Sequence, residues 1–187
     1  MIAPTINVDG LIRPAKEASI PVLDRGFLYG DSVYEVFRTY RGVPLFLDDH
    51  FERLENSARL IQMQISQSRE ELLREIKRTA KIAGVMQDED AYVRYQITRG
   101  DGQVDLYPDP SLKTRYVIIV NTLPSHNAVF YDRGMHMTIP NVRRNPANAL
   151  DPNIKGGNYL NNIMGLTEAR QAGADDCVML SRGGFVT

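Results

Sequence analysis

The run Val33-Tyr34-Glu35-Val36-Phe37-Arg38-Thr39-Tyr40 constrains the fold more than any other stretch of these 187 residues. β-Branched and aromatic residues fill it, and Arg41-Gly42 follows as a turn. It is therefore expected to be a strand with a return strand from Val43 to Leu47. Alternation puts Val33, Glu35, Phe37 and Thr39 on one face and Tyr34, Val36, Arg38 and Tyr40 on the other. Charge falls on both faces, so neither is a plain solvent face, and at least one is expected to line a polar cavity. Glu35 and Arg38 point to opposite sides and are not expected to pair.

Around this strand the pattern alternates between sheet and helix. Ile6-Asn7-Val8, Asp9-Gly10 and Leu11-Ile12-Arg13 read as a hairpin with a type I′ turn. Asp48 or Asp49 is expected to cap a helix to about Met63, burying Phe51, Leu54, Ala58 and Ile61. Ser68 and Glu71 form a capping box for a second helix, which buries Leu72, Leu73, Ile76 and Ala80 and stops at Gly84. Strands are expected at about 91–99 and 115–122, joined by a long loop, 100–114, of the kind that carries function. The organisation expected is an N-terminal α/β domain over 1–122, a linker over 123–133 and the start of a second domain over 134–187. In that second stretch a strand at about 135–140, a helix at about 158–171 and a strand at 176–181 lead to a turn at Arg182-Gly183-Gly184. Phe185-Val186-Thr187 begins a return strand too short to complete a hairpin, so the second domain is expected to be truncated.

Composition removes several function classes. A net charge of −1 without a basic patch argues against nucleic acid. No stretch approaches 18 apolar residues, and the N-terminus lacks the basic and apolar regions of a signal peptide. The single Cys177 rules out an internal disulfide framework and suits a reducing cytoplasm. His50, His126 and His136 show no metal-ligand spacing, and no Gly-x-Ser-x-Gly run occurs.

Lys155 stands apart among five lysines. Lys77 and Lys81 lie on a polar helix face, Lys16 in a charged stretch and Lys113 in a loop. Lys155 follows Ile154, precedes Gly156-Gly157 and has Tyr159 four positions on. A lysine that acts as an amine nucleophile needs partial desolvation, and glycines beside it allow a ligand to approach the backbone.

Five stretches in order carry a resemblance: Arg25-Gly26-Phe27-Leu28-Tyr29-Gly30-Asp31-Ser32-Val33-Tyr34-Glu35, His50-Phe51-Glu52-Arg53-Leu54, Ala91-Tyr92-Val93-Arg94, Ile154-Lys155-Gly156-Gly157-Asn158-Tyr159-Leu160 and Glu168-Ala169-Arg170-Gln171-Ala172-Gly173-Ala174-Asp175. Together they resemble the fold type IV pyridoxal-phosphate enzymes, the class IV aminotransferases. That family includes branched-chain aminotransferase, D-amino acid aminotransferase and aminodeoxychorismate lyase. The resemblance implies a two-domain α/β (α+β) enzyme that uses pyridoxal 5'-phosphate on amino acid and 2-oxo acid substrates. It makes Lys155 the Schiff-base and proton-shuttling lysine, Arg53 a phosphate ligand and Tyr159 a partner of the cofactor's phenolic oxygen. It places Tyr34, Tyr92 and Arg94 at the substrate, with Tyr29 reaching across from the partner of a homodimer.

Val36 stands where branched-chain enzymes usually have glycine. Gln96-Ile97-Thr98-Arg99-Gly100 is similar to the D-amino acid enzymes, yet their following Arg-x-His pair is missing. Arg94 and Gly156-Gly157-Asn158-Tyr159 favour the branched-chain side, and the expectation is transamination of branched-chain amino acids with 2-oxoglutarate. D-amino acid transamination, aminodeoxychorismate lyase activity and a truncated, non-catalytic binding or dimerisation module are the alternatives. The family's glutamate for the pyridine nitrogen is expected one residue past Thr187.

Overall fold

A computed structural model describes residues 2–86, 89–124 and 128–187. The chain divides into two compact units, Met1–Pro124 with Lys155–Gly157, and Ser125–Ile154 with Asn158–Thr187. Ser125, His126 and Asn127 of the expected linker lie outside the described residues.

The first unit is built on a six-stranded antiparallel sheet. Its strands are β1 (Thr5–Val8), β2 (Leu11–Pro14), β3 (Ser32–Tyr40), β4 (Val43–Pro44), β5 (Ala91–Thr98) and β6 (Arg115–Thr122), in the order β2-β1-β6-β5-β3-β4. Asp9 and Gly10 both take positive φ, 48° and 89°, the type I′ geometry that joins β1 to β2. Helices α2 (Leu47–Leu60) and α3 (Arg69–Ile82) supply apolar stripes to the core. Phe51, Leu54, Ala58, Leu72 and Ile76 join Val33, Phe37, Val93, Tyr95, Ile97, Ile118 and Val120 in that cluster. The opposite strand faces carry Ser32, Tyr34, Arg94 and Gln96.

Several local expectations need revision. The return strand after Arg41-Gly42 is only β4, because the chain turns into α2 at Phe46, whose φ is 49°. Neither Asp48 nor Asp49 is the N-cap. Both lie inside the first turn of α2, where their charge favours the positive end of the helix. The α3 capping box is present in full, with Ser68 Oγ accepting from Glu71 N and Glu71 accepting from Ser68 N. A short helix, α1 (Arg25–Tyr29), precedes β3 and is capped by Asp24.

The second unit contains α4 (Val129–Arg133), which falls within the expected linker, then β7 (Met137–Thr138), α5 (Ala147–Leu150), α6 (Leu160–Gln171) and β8 (Asp176–Cys177). β7 and β8 pair in parallel. Leu180 bridges Val186, and Ser181 N donates to Phe185 O at 2.8 Å, forming the turn expected at Arg182-Gly183-Gly184.

Candidate active site

Lys155 is fixed by its backbone. β4 covers β3 only at Thr39 and Tyr40, which leaves the other end of that edge open. The segment Lys155–Gly157 fills it: Tyr34 N donates to Lys155 O at 2.9 Å, and Gly157 N donates to Ser32 O at 2.8 Å. Lys155 N donates to the buried Ser57 Oγ of α2 at 3.1 Å. Position 157 must be glycine for space, since an added Cβ would overlap Ser32 Oγ and stand 3.3 Å from Gly30 O.

The Lys155 side chain is half-buried, with Nζ 4.7 Å from the centre of the buried Tyr34 ring. The Arg94 guanidinium carbon lies 3.6 Å from the same ring centre. The two charges are therefore at most about 8 Å apart, comparable to the ~8 Å screening length of physiological salt. An arginine in a half-buried strand is normally paired with a carboxylate, and that pairing is not found here. Among the described residues neither Arg94 nor Lys155 has a carboxylate partner. Arg94 Nη2 instead donates to Gln96 Oε1 at 2.8 Å, and Gln96 Nε2 donates to Ser32 Oγ at 2.9 Å.

Arg53, on α2, is itself gripped. Its Nε and Nη2 donate to the two carboxylate oxygens of Glu35 at 2.5 and 2.7 Å. His50 Nδ1 lies 2.7 Å from the same carboxylate. Glu35 is fully buried while the Arg53 side chain is 52% exposed. Burial pushes the Glu35 pKa up, but the hydrogen bonds and charges of Arg53 and His50 outweigh it and leave the carboxyl below the ordinary 4.5. Arg53 and Ser57 are one turn apart on α2, about 6 Å along the axis. One helix turn thus carries both the arginine and the hydroxyl that holds the lysine backbone.

The structure brings Tyr34, Arg94 and Lys155 together, and Ser57 links Lys155 to the helix bearing Arg53. Tyr92 is half-buried on β5 and shares the Arg94 face by alternation. Tyr29 ends α1 with its ring 4.9 Å from the Arg25 guanidinium carbon. Among the described residues it makes no hydrogen bond or ring contact to Tyr34, Arg94 or Lys155. Tyr159 occupies the N-cap position of α6 in the second unit.

Sequence reasoning passed over Ser32, Gln96 and Ser57 as site residues. Ser32 and Gln96 were reachable by counting in twos from Tyr34 and Arg94. Ser57 lies three positions after Leu54 on the buried stripe of α2, where a hydroxyl is itself a signal. The polar face inferred for β3 also hid a distinction: Glu35 is a core carboxylate in an ion cluster, whereas Tyr34 meets the cations.

Residues 32–187 match the family model of amino-transferase class IV. A Methanocaldococcus jannaschii protein provisionally named a branched-chain-amino-acid aminotransferase is 33% identical over 97% of this chain and 61% of its own length. The aminodeoxychorismate lyase of Bacillus subtilis is 30% identical over 97% of this chain and 60% of its own. Among solved structures, a branched-chain aminotransferase from the thermophilic archaeon Thermoproteus uzoniensis, with norvaline, superposes with a TM-score of 0.85. It is 27% identical, and the match covers 99% of this chain and 62% of that one. Other matching branched-chain amino acid aminotransferase structures hold pyridoxamine 5'-phosphate or N-(5'-phosphopyridoxyl)-L-glutamate, and pyridoxal phosphate is the cofactor of this family. This chain thus spans about three-fifths of each of these relatives. The α/β fold type IV architecture expected from the sequence is the one found.

Proposed function

The chain belongs to the class IV amino-transferases, and from that premise we propose that it carries the lysine-bearing part of a pyridoxal-phosphate transaminase acting on branched-chain amino acids with 2-oxoglutarate. The observation that carries this reading is that Lys155 and Arg94 both meet Tyr34 with no carboxylate among the described residues to neutralise either. Such a site suits an amine nucleophile beside an anionic substrate.

The residues also suit the cofactor. A half-buried primary amine has its backbone locked to β3, and a bidentately held arginine sits one helical turn from the residue that helps lock it. Lys155 would hold the aldehyde covalently, Arg53 the phosphate and Tyr159 the phenolic oxygen. Bound there, pyridoxal phosphate supplies an electron sink for charge developing at a substrate Cα. In this reading Lys155 Nζ moves the proton at that carbon, Arg94 binds a substrate carboxylate, and Tyr34 and Tyr92 bound the side-chain pocket. The functional unit proposed is a homodimer in which Tyr29 serves the neighbouring site. The exposed apolar side chains of Phe27, Val104, Leu106 and Tyr107, on α1 and the 100–114 loop, support such an interface. Among the described residues no helix is long and apolar enough to cross a membrane.

Borohydride reduction of the cofactor-loaded protein followed by peptide mapping tests the assignment. Label is expected on Lys155, and label on Lys16, Lys77, Lys81 or Lys113 instead would refute it. L-Leucine, D-alanine and aminodeoxychorismate assayed side by side separate the branched-chain reading, expected to favour L-leucine, from its two relatives.

A further inference from the structure

Arg94 is oriented by a neutral amide. Its guanidinium has only donors, so the Gln96 amide must turn its oxygen toward Arg94 and its NH2 toward Ser32 Oγ. Ser32 is buried, and its main chain pairs with Gly157 beside Lys155. A short polar chain, Ser32–Gln96–Arg94, therefore ties the guanidinium to the strand edge that holds the lysine. Positions 94 and 96 lie side by side on one face of β5, so a carboxylate at 96 would reach Arg94 as readily as the amide does.

We infer that Gln96 is a specificity-determining positioning residue: it holds Arg94 in place without neutralising it and so reserves the guanidinium charge for a substrate carboxylate. This deepens the proposed function and rests on Arg94 being the carboxylate site. Glutamate and glutamine have nearly the same shape, and the two differ here in one respect. A glutamate would close an internal charge-assisted pair with Arg94, and an incoming carboxylate would have to displace it. The Ser32 hydroxyl, acceptor to the amide, can rotate to donate to a carboxylate, so the exchange leaves no buried group without a partner.

The test uses the cofactor-loaded protein and its Gln96→Glu, Gln96→Leu and Arg94→Met variants. Dissociation constants are read from the change in cofactor absorbance on adding glutarate, a dicarboxylate, or isoamylamine, which has no carboxylate. Cofactor affinity is measured separately by fluorescence quenching. Gln96→Glu is expected to weaken glutarate at least tenfold while leaving isoamylamine and the cofactor within about twofold, the charge effect being confined to the carboxylate subsite. Gln96→Leu, which frees Arg94 without opposing its charge, should weaken glutarate less. If Arg94→Met leaves glutarate unchanged, the assignment of Arg94 fails and this inference falls with it. If Arg94→Met weakens glutarate and Gln96→Glu does not, the inference alone is overturned. Equal losses for glutarate, isoamylamine and cofactor in Gln96→Glu would also overturn it, since a general disturbance of the pocket would explain them.

Discussion

Replacing Glu35 by glutamine should expose how the Arg53 guanidinium is held. The carboxylate is fully buried and receives two charge-assisted bonds from Arg53 and one contact from His50 Nδ1. Glutamine keeps the volume and one acceptor but loses the charge. Removing one partner of a buried ion pair costs about 3–5 kcal/mol when the survivor stays buried. Arg53 is half-exposed and can turn toward water, so the expected loss for Glu35→Gln is smaller, about 2–3 kcal/mol. Arg53→Gln should cost more, about 3–5 kcal/mol, because it leaves the buried carboxylate only His50 and the long bond from Val36 N. The double variant should cost clearly less than the sum. pH supplies a second check. The folded pKa of Glu35 lies below its unfolded value, so its stabilisation is complete above about pH 4.5 and disappears as pH falls through the folded pKa. Urea unfolding followed by circular dichroism at pH 7 and at stepwise lower pH measures both effects. A Glu35→Gln loss below about 1 kcal/mol at pH 7, or a gap from wild type that widens on acidification, would refute the reasoning.

Gly157→Ala should destabilise by about 1–3 kcal/mol through overpacking against Ser32 Oγ. Adding Ser32→Ala should recover part of that loss in the same unfolding assay, and no recovery would mean that the clash lies elsewhere. Tyr95→Phe should be neutral or stabilising by up to about 2 kcal/mol, because the buried Tyr95 hydroxyl has no hydrogen-bond partner among the described residues. A clear fall in melting temperature would show that this hydroxyl is satisfied in solution.

Much of the scaffold was readable because its signals are local. The Ser68/Glu71 capping box and the Asp9-Gly10 turn depend on neighbours within four residues, and both formed as read. The strands over Ala91–Thr98 and Arg115–Thr122 followed from β-branched runs bounded by turn residues. The start of α2 was misplaced because no side-chain cap sets it: Phe46 turns the chain through a left-handed backbone that a bulky residue seldom adopts. The site was legible in its cations but not in their partners. Lys155 and Arg94 announce themselves by type and setting, whereas Gln96 and Ser57 gain meaning only from contacts across the fold. Ser57 meets Lys155 across 98 positions of sequence, a separation that periodicity cannot reveal.

The pairing of Lys155–Gly157 with β3 has a consequence for solubility. Without that segment, Ser32–Tyr34 would present bare backbone donors and acceptors along a strand edge, a template onto which another chain could add. The bonds that aim the lysine therefore also blunt an edge prone to self-association. Substitutions that loosen this segment would forfeit reactivity and invite clumping together, so light scattering during refolding becomes an indirect reading of whether the lysine has docked.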